Sequence, residues 1–311
     1  MTLHDLRSLV AGLGHPVVLG EPESTRTFPD GRRFRIEVPS CEGPAVMAAV
    51  LDEAGRRDVP VDRVSQGSGV MMLTDDEVRT MVRLGAEHDV EVCLFLGPRA
   101  AWDIGGQAKV SAAVGGAARG NAAVAASLAE ARRACDLGIR SLLIGDLGVL
   151  ELLGRLKGDG TLPSDLTLKT SVVLPLANGP TGALYERAGA TSLNISTDLS
   201  IGQIAEIRAA TSSPIDIYME VPDDQGGSVR MYEVAEVVRV AAPVYLKLGV
   251  RNAPNIYPVG GHVLPLAESL GRERVRRAEL VLRMLAELGP DLLHENAHGT
   301  GAVEATPGGT S

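Results

Sequence analysis

The chain has 311 residues, of which 45% are hydrophobic and 22% charged, a balance that supports a large core and excludes general disorder. Aromatic residues make up only 3%, so that core must be assembled from Leu, Val, Ile and Ala. A formal charge of −9, with no basic cluster interleaved with aromatics, excludes nucleic acid as an expected partner.

In chain order, residues 3 to 13 read as a short helix and 17 to 20 as a strand fragment, leading to a turn at Pro29-Asp30-Gly31. FRIEVPS (34 to 40) is the first regular strand, and a helix over 43 to 57 follows it, opened by Pro44. VDRVSQ (61 to 66) precedes a helix whose start, Thr74-Asp75-Asp76-Glu77, fits a capping box. EVCLFLG (91 to 97) is apolar almost throughout, as in a strand buried on both faces. The next stretch, 98 to 121, is too long and glycine-rich for a standard connection and reads as a lid or binding element carrying Trp102 and Asp103. A helix over 122 to 137 leads to SLLIGD (141 to 146), and LTLKTSVV (166 to 173), TSLNIS (191 to 196) and IDIYMEV (215 to 221) continue the series. PVYLKLG (243 to 249) is the eighth strand, and a helix over 264 to 288 closes the fold. Gly85, Gly138 and Gly189 are expected to end helices in the left-handed conformation.

Eight strands alternating with helices predict an α/β chain forming a single (β/α)8 barrel of the TIM type, with an N-terminal extension and a long loop after the third strand. The domain spans 1 to 290, and 291 to 311 is expected to be a flexible tail. Cys41, Cys93 and Cys135 show no metal or disulfide spacing and read as reduced thiols. The first residues lack the features of a signal peptide and no stretch reaches the roughly 20 apolar residues of a membrane span, so a cytoplasmic protein is expected.

Alternation along the strands turns Arg35, Glu37, Lys169, Asn194, Glu220 and Lys247 toward the barrel axis, where branched apolar side chains would normally sit. So many ionisable groups there point either to a functional site or to salt-bridged barrel filling. Glu37, Lys169, Glu220 and Lys247 are the candidate catalytic residues, with Glu220 as general acid or base and the lysines holding an anionic substrate or attacking a carbonyl. Gln66, Ser68, Arg99, Asn194, Arg251, Asn252 and His262, all near strand ends, are the candidate substrate-binding residues. Glu21, Glu23, Glu37 and Glu220 could assemble a divalent-cation site, although no spacing motif requires one.

The segment GATSLNISTDLSIGQIAEIR (189 to 208), followed by a strand ending in Glu220, resembles the collagenase-like peptidase family. That resemblance implies a TIM-type barrel and supports the position of Glu220. The family signature has cysteines soon after this strand, whereas PDDQGGSVRMYEV (222 to 234) has none. Three scattered cysteines cannot supply the four ligands of an iron–sulfur cluster, so none is expected. The expected function is an enzyme acting on a small, polar, anionic metabolite by acid–base chemistry beside a carbonyl, of lyase or isomerase type. The alternatives are a peptidase-like hydrolase and a non-catalytic barrel that binds a protein partner or assembles as a homo-oligomer.

Overall fold

The computed structural model describes residues 20–102, 106–109 and 114–298. The helix expected over 3 to 13 lies outside these residues, as do most of the 17 to 20 fragment and part of the long loop, Asp103 included.

Eight described strands lie parallel: β1 (Phe34–Pro39), β2 (Arg63–Ser65), β3 (Glu91–Phe95), β4 (Ser141–Ile144), β5 (Thr167–Thr170), β6 (Leu193–Asn194), β7 (Ile215–Glu220) and β8 (Val244–Leu248). Their order is β5-β4-β3-β2-β1-β8-β7-β6. The first strand meets the last with Phe34 opposite Val244, and a bridge between Lys169 and Ser192 joins β5 to β6, so the sheet closes on itself. The helices α1 (Pro44–Arg57), α2 (Asp75–His88), α3 (Gly120–Asp136), α4 (Leu147–Gly158), α5 (Gly179–Arg187), α6 (Ile201–Ala210), α7 (Val234–Ala241) and α8 (Leu264–Leu288) follow the strands one for one. The chain is a (β/α)8 barrel of the TIM type.

The apolar core lies between sheet and helices. Ile36, Val38, Val64, Leu142, Leu168, Ile217 and Leu246 are buried there, each the outward-facing alternate of its strand. Among the described residues the barrel interior holds a small apolar cluster, Cys93, Phe95 and Leu143 with Val173 against it. Glu37, Arg63, Lys169, Asp216 and Lys247 are buried as well, the reverse of a structural TIM core filled by branched apolar side chains.

Local sequence explains most boundaries. Thr74 and Glu77 form the expected capping box, Glu77 Oε2 accepting from Thr74 N at 2.8 Å. Gly138 and Gly189 take positive φ of 102° and 106° past their helices. Gly85 does not: it lies inside α2, and a Cβ there would sit 2.7 Å from the Val90 carbonyl oxygen. Close approach, rather than termination, is what that glycine provides. β6 is only two residues long because side chains complete its ladder. Thr191 Oγ1 accepts from Leu168 N and Thr170 Oγ1 from Asn194 N, both at 2.9 Å.

The tail expected from residue 291 begins instead as a helix, α9 (Pro290–His298). Leu292 is buried under it, and the Asn296 amide accepts from Arg33 N (2.8 Å) and Phe34 N (3.2 Å) while donating to Phe34 O (3.1 Å). That amide completes the open end of β1 and ties the helix to the barrel. No helix among the described residues is long and apolar enough to cross a membrane.

Candidate active site

Two layers of polar side chains fill the barrel. In the lower layer Glu37 (β1), Arg63 (β2), Lys169 (β5) and Asp216 (β7) are all 2% exposed or less. Register explains their meeting, since Glu37 sits opposite Arg63 on one side and Lys247 on the other. Lys169 Nζ contacts Glu37 Oε2 and lies 3.0 Å from Asp216 Oδ1, which Arg63 also reaches at 2.8 Å. Arg63 further approaches Glu91 at 3.0 Å and stacks 3.6 Å over the Tyr245 ring. Ser65 donates to Glu37 at 2.6 Å. Burial alone would raise the Glu37 carboxyl, but Lys169, Lys247 and Arg63 hold it well below the ordinary range. Burial pushes Asp216 upward, with Lys169 and Arg63 pulling it back and the Glu37 charge adding to the rise.

The upper layer opens onto a cavity of about 60 Å³. Lys247 forms its floor, 2% exposed, with Nζ 4.2 Å from the centre of the Tyr218 ring and 3.7 Å from Glu37 Oε1. The Asn194 amide, oriented to satisfy all its neighbours, accepts from Lys247 Nζ at 2.8 Å. Ser40, Gln66, Arg99 and Tyr257 form the walls. Ser40 has φ of 57°, a left-handed conformation rare for a side-chain-bearing residue, and its hydroxyl touches the Tyr257 hydroxyl. Gly67 is required beside them, because a Cβ there would lie 2.6 Å from the Tyr257 ring. Burial raises both Tyr218 and Tyr257, with the Glu37 and Glu42 carboxylates adding to the rise, so both hydroxyls keep their protons.

Of the residues singled out by alternation, Glu37, Lys169, Asn194 and Lys247 are brought together. Glu220 is not. The β7–β8 register shifts between Tyr218 and Glu220, and this irregularity turns the Glu220 carboxylate away from the axis. It accepts from Arg251 N at 2.8 Å and pairs with Arg277 of α8 at 2.7 Å, a latch between the last loop and the outer shell. Gln66 and Arg99 line the cavity, but the Gln66 amide is occupied at both ends by Gly69 and Arg99 is bound to the Gly67 carbonyl while stacking on Phe95. Ser68, Arg251, Asn252 and His262 do not line it. Ser68 ties two loops together through Val259 N, Arg251 and Asn252 both engage Asp223, and His262 is exposed beside Gly260. Glu21, Glu23, Glu37 and Glu220 are not gathered: Glu23 faces Arg239, Glu37 lies on the axis and Glu220 meets α8, so the proposed cation cage does not form.

Sequence reasoning passed over Arg63, Asp216, Tyr218, Ser40 and Tyr257. The first three share the alternation of the residues that were chosen: Arg63 alternates with Val64, and Asp216 and Tyr218 with Ile217. Ser40 and Tyr257 arrive from loops, where no periodicity operates.

No family model matches the chain, and no curated protein matches its sequence. Among solved structures it is similar to the U32 peptidase Mk0906, at 15% identity and TM-score 0.40 over 76% of this chain and 98% of that one. It is also similar to the thiamine phosphate pyrophosphorylase from Pyrococcus furiosus, at 12% identity and TM-score 0.41, covering 80% of this chain and 97% of that one. A structure named native KDPGal matches at 10% identity and TM-score 0.45, covering 84% and 99%. Likenesses this distant carry no argument about chemistry. The barrel itself rests on this chain's own strand order and closure.

Proposed function

We propose that the protein is an enzyme acting on a small anionic metabolite by acid–base chemistry beside a carbonyl, of lyase or isomerase type. The observation that carries this reading is the difference between the two lysines. Lys169 is enclosed between two carboxylates, whereas Lys247 keeps donor capacity toward a cavity. A buried ammonium with a free N–H is suited to a substrate carboxylate or to the oxygen on which negative charge develops as a carbonyl becomes an enolate. Proton transfer falls to the Tyr257 hydroxyl and its partner Ser40, because Glu220 lies elsewhere. Tyr257 keeps its proton at neutral pH and so acts as the acid that returns a proton to the substrate, regaining one from solvent, while the proton lost when the enolate forms passes to solvent water.

A peptidase-like reading has the sequence resemblance behind it but less from the cavity, which has neither histidine nor cysteine among its described lining residues. The test is thermal stabilisation of the wild type and Lys247→Met by sugar acids, keto acids, phosphates and short peptides. Small acids should stabilise the wild type and not the variant, with the variant's own unfolding still cooperative. Equal responses from both proteins, or a response to peptides or a protein partner alone, would sink the assignment.

A further inference from the structure

Beside the Lys247 cavity lies a second one of about 60 Å³, and the two share Ser40, Tyr218, Gln225 and Tyr257 as common walls. Arg274 of α8 lines the second cavity and is only 4% exposed. It occupies the core-facing stripe of its helix, with Ala267, Leu270, Gly271 and Ala278, at a position that periodicity reserves for an apolar residue. Its Nε and NH1 are enclosed and have no hydrogen-bond partner, and no carboxylate among the described residues lies within ion-pairing distance. Other buried arginines with an unbonded Nε place another nitrogen on an acceptor: Arg63 reaches Asp216, and Arg208 reaches the carbonyls of Thr211 and Ser213.

Nearby acids do not supply the missing partner. Glu42, the buried carboxylate whose charge Arg274 feels, already accepts from Gly67 N at 2.7 Å and Ser68 N at 2.8 Å. Asp224 also lines the second cavity but is exposed and does not pair with Arg274. One turn further along α8, Arg277 is ion-paired with Glu220 and Glu273, both at 2.7 Å. A guanidinium taken out of water without a partner is strongly disfavoured, as is any unpaired buried ion.

We propose that Arg274 receives a second oxyanion of the substrate, so that the ligand is a small diacid: one acidic or carbonyl oxygen on Lys247, the other group, carboxylate or phosphate, on the Arg274 fork. The proposal deepens the reading of the Lys247 cavity and rests on it for the first group only. Tyr218 and Tyr257 line both cavities and so would flank a ligand that reaches both cations.

The test is calorimetric binding of succinate, phosphoglycolate and the monoacid butyrate to the full chain. At least one diacid should bind about 10- to 100-fold more tightly than butyrate, and whichever is preferred identifies carboxylate or phosphate as the second group. Arg274→Met should remove that preference, the diacid falling to the affinity of butyrate. Arg274→Lys, which keeps the charge but loses the fork, should retain part of it, and it carries the test alone if Arg274→Met fails to fold. No preference for either diacid on the wild type, or variants that keep the wild-type preference, would overturn the proposal. Lys247→Met separates the two ideas. If it binds butyrate normally while Arg274→Met selectively loses the diacid, the Lys247 reading fails and the Arg274 site stands.

Discussion

The lower and upper layers of the barrel interior use the same residue types and reach opposite states. Below, each charge has an opposite charge in contact: Lys169 lies between Glu37 and Asp216, and Arg63, although its Nε makes no hydrogen bond, joins Asp216 and Glu91, all in contacts of 3.0 Å or less. Above, Lys247 is left with an amide, a ring face and a carboxylate at 3.7 Å, and beside that layer Arg274 of α8 has neither a hydrogen bond nor an ion pair among the described residues. A buried ion whose partners are all present is explained by the folded state itself. A buried donor with unused N–H groups is explained by something that arrives.

The strongest way to break this comparison is to exchange the lysines. Lys169→Met leaves Glu37 and Asp216 sharing a smaller positive charge and should cost roughly 3–5 kcal/mol of stability, read by denaturant unfolding. Lys247→Met should cost far less stability but reduce turnover by about 100-fold or more once a substrate is in hand. If the two variants lose stability equally, the layers are not different in kind.

A smaller effect sharpens the electrostatics. The folded-state value of Glu37 lies below its ordinary one, so its contribution to stability is complete above roughly pH 4.3 and fades as pH falls toward the folded value. Asp216, with a raised folded value, has the opposite sign and tempers the slope. The stability gap between wild type and Glu37→Gln should therefore narrow below about pH 4.3. A gap constant from neutral to acid pH would remove the ion-pair account.

Glu220→Gln breaks the ion pair with Arg277 in the outer shell and should cost about 1–3 kcal/mol while changing acid binding little. A large loss of turnover in this variant, at unchanged stability, would return Glu220 to the chemistry. Smallest of all, His262→Ala should leave both stability and binding within about 0.5 kcal/mol of the wild type, as for other exposed substitutions.

The barrel was legible because strand alternation and helix caps are local. Ile36 and Val38 facing out with Glu37 facing in, or the Thr74 box, need no knowledge of distant residues. Lys169 and Lys247 were found by the same rule, but it could not say which of them would be enclosed, since that depends on side chains from five strands. Glu220 was misplaced because a register shift is a property of two strands rather than one. Arg274 did carry a signal, a charge on the apolar stripe of α8, which only becomes readable once the helix's inward face is fixed.

The Asn296 clasp on Phe34 joins positions 262 apart in the chain. A ribosome makes β1 long before Asn296, and the strand's outer end keeps unsatisfied amides until that residue has emerged. Contacts of such long separation close late in folding. Arrested nascent chains ending at residue 289 should accordingly exchange the Arg33 and Phe34 amides freely, and chains extended past 298 should protect them, making the completed ring a checkpoint on synthesis.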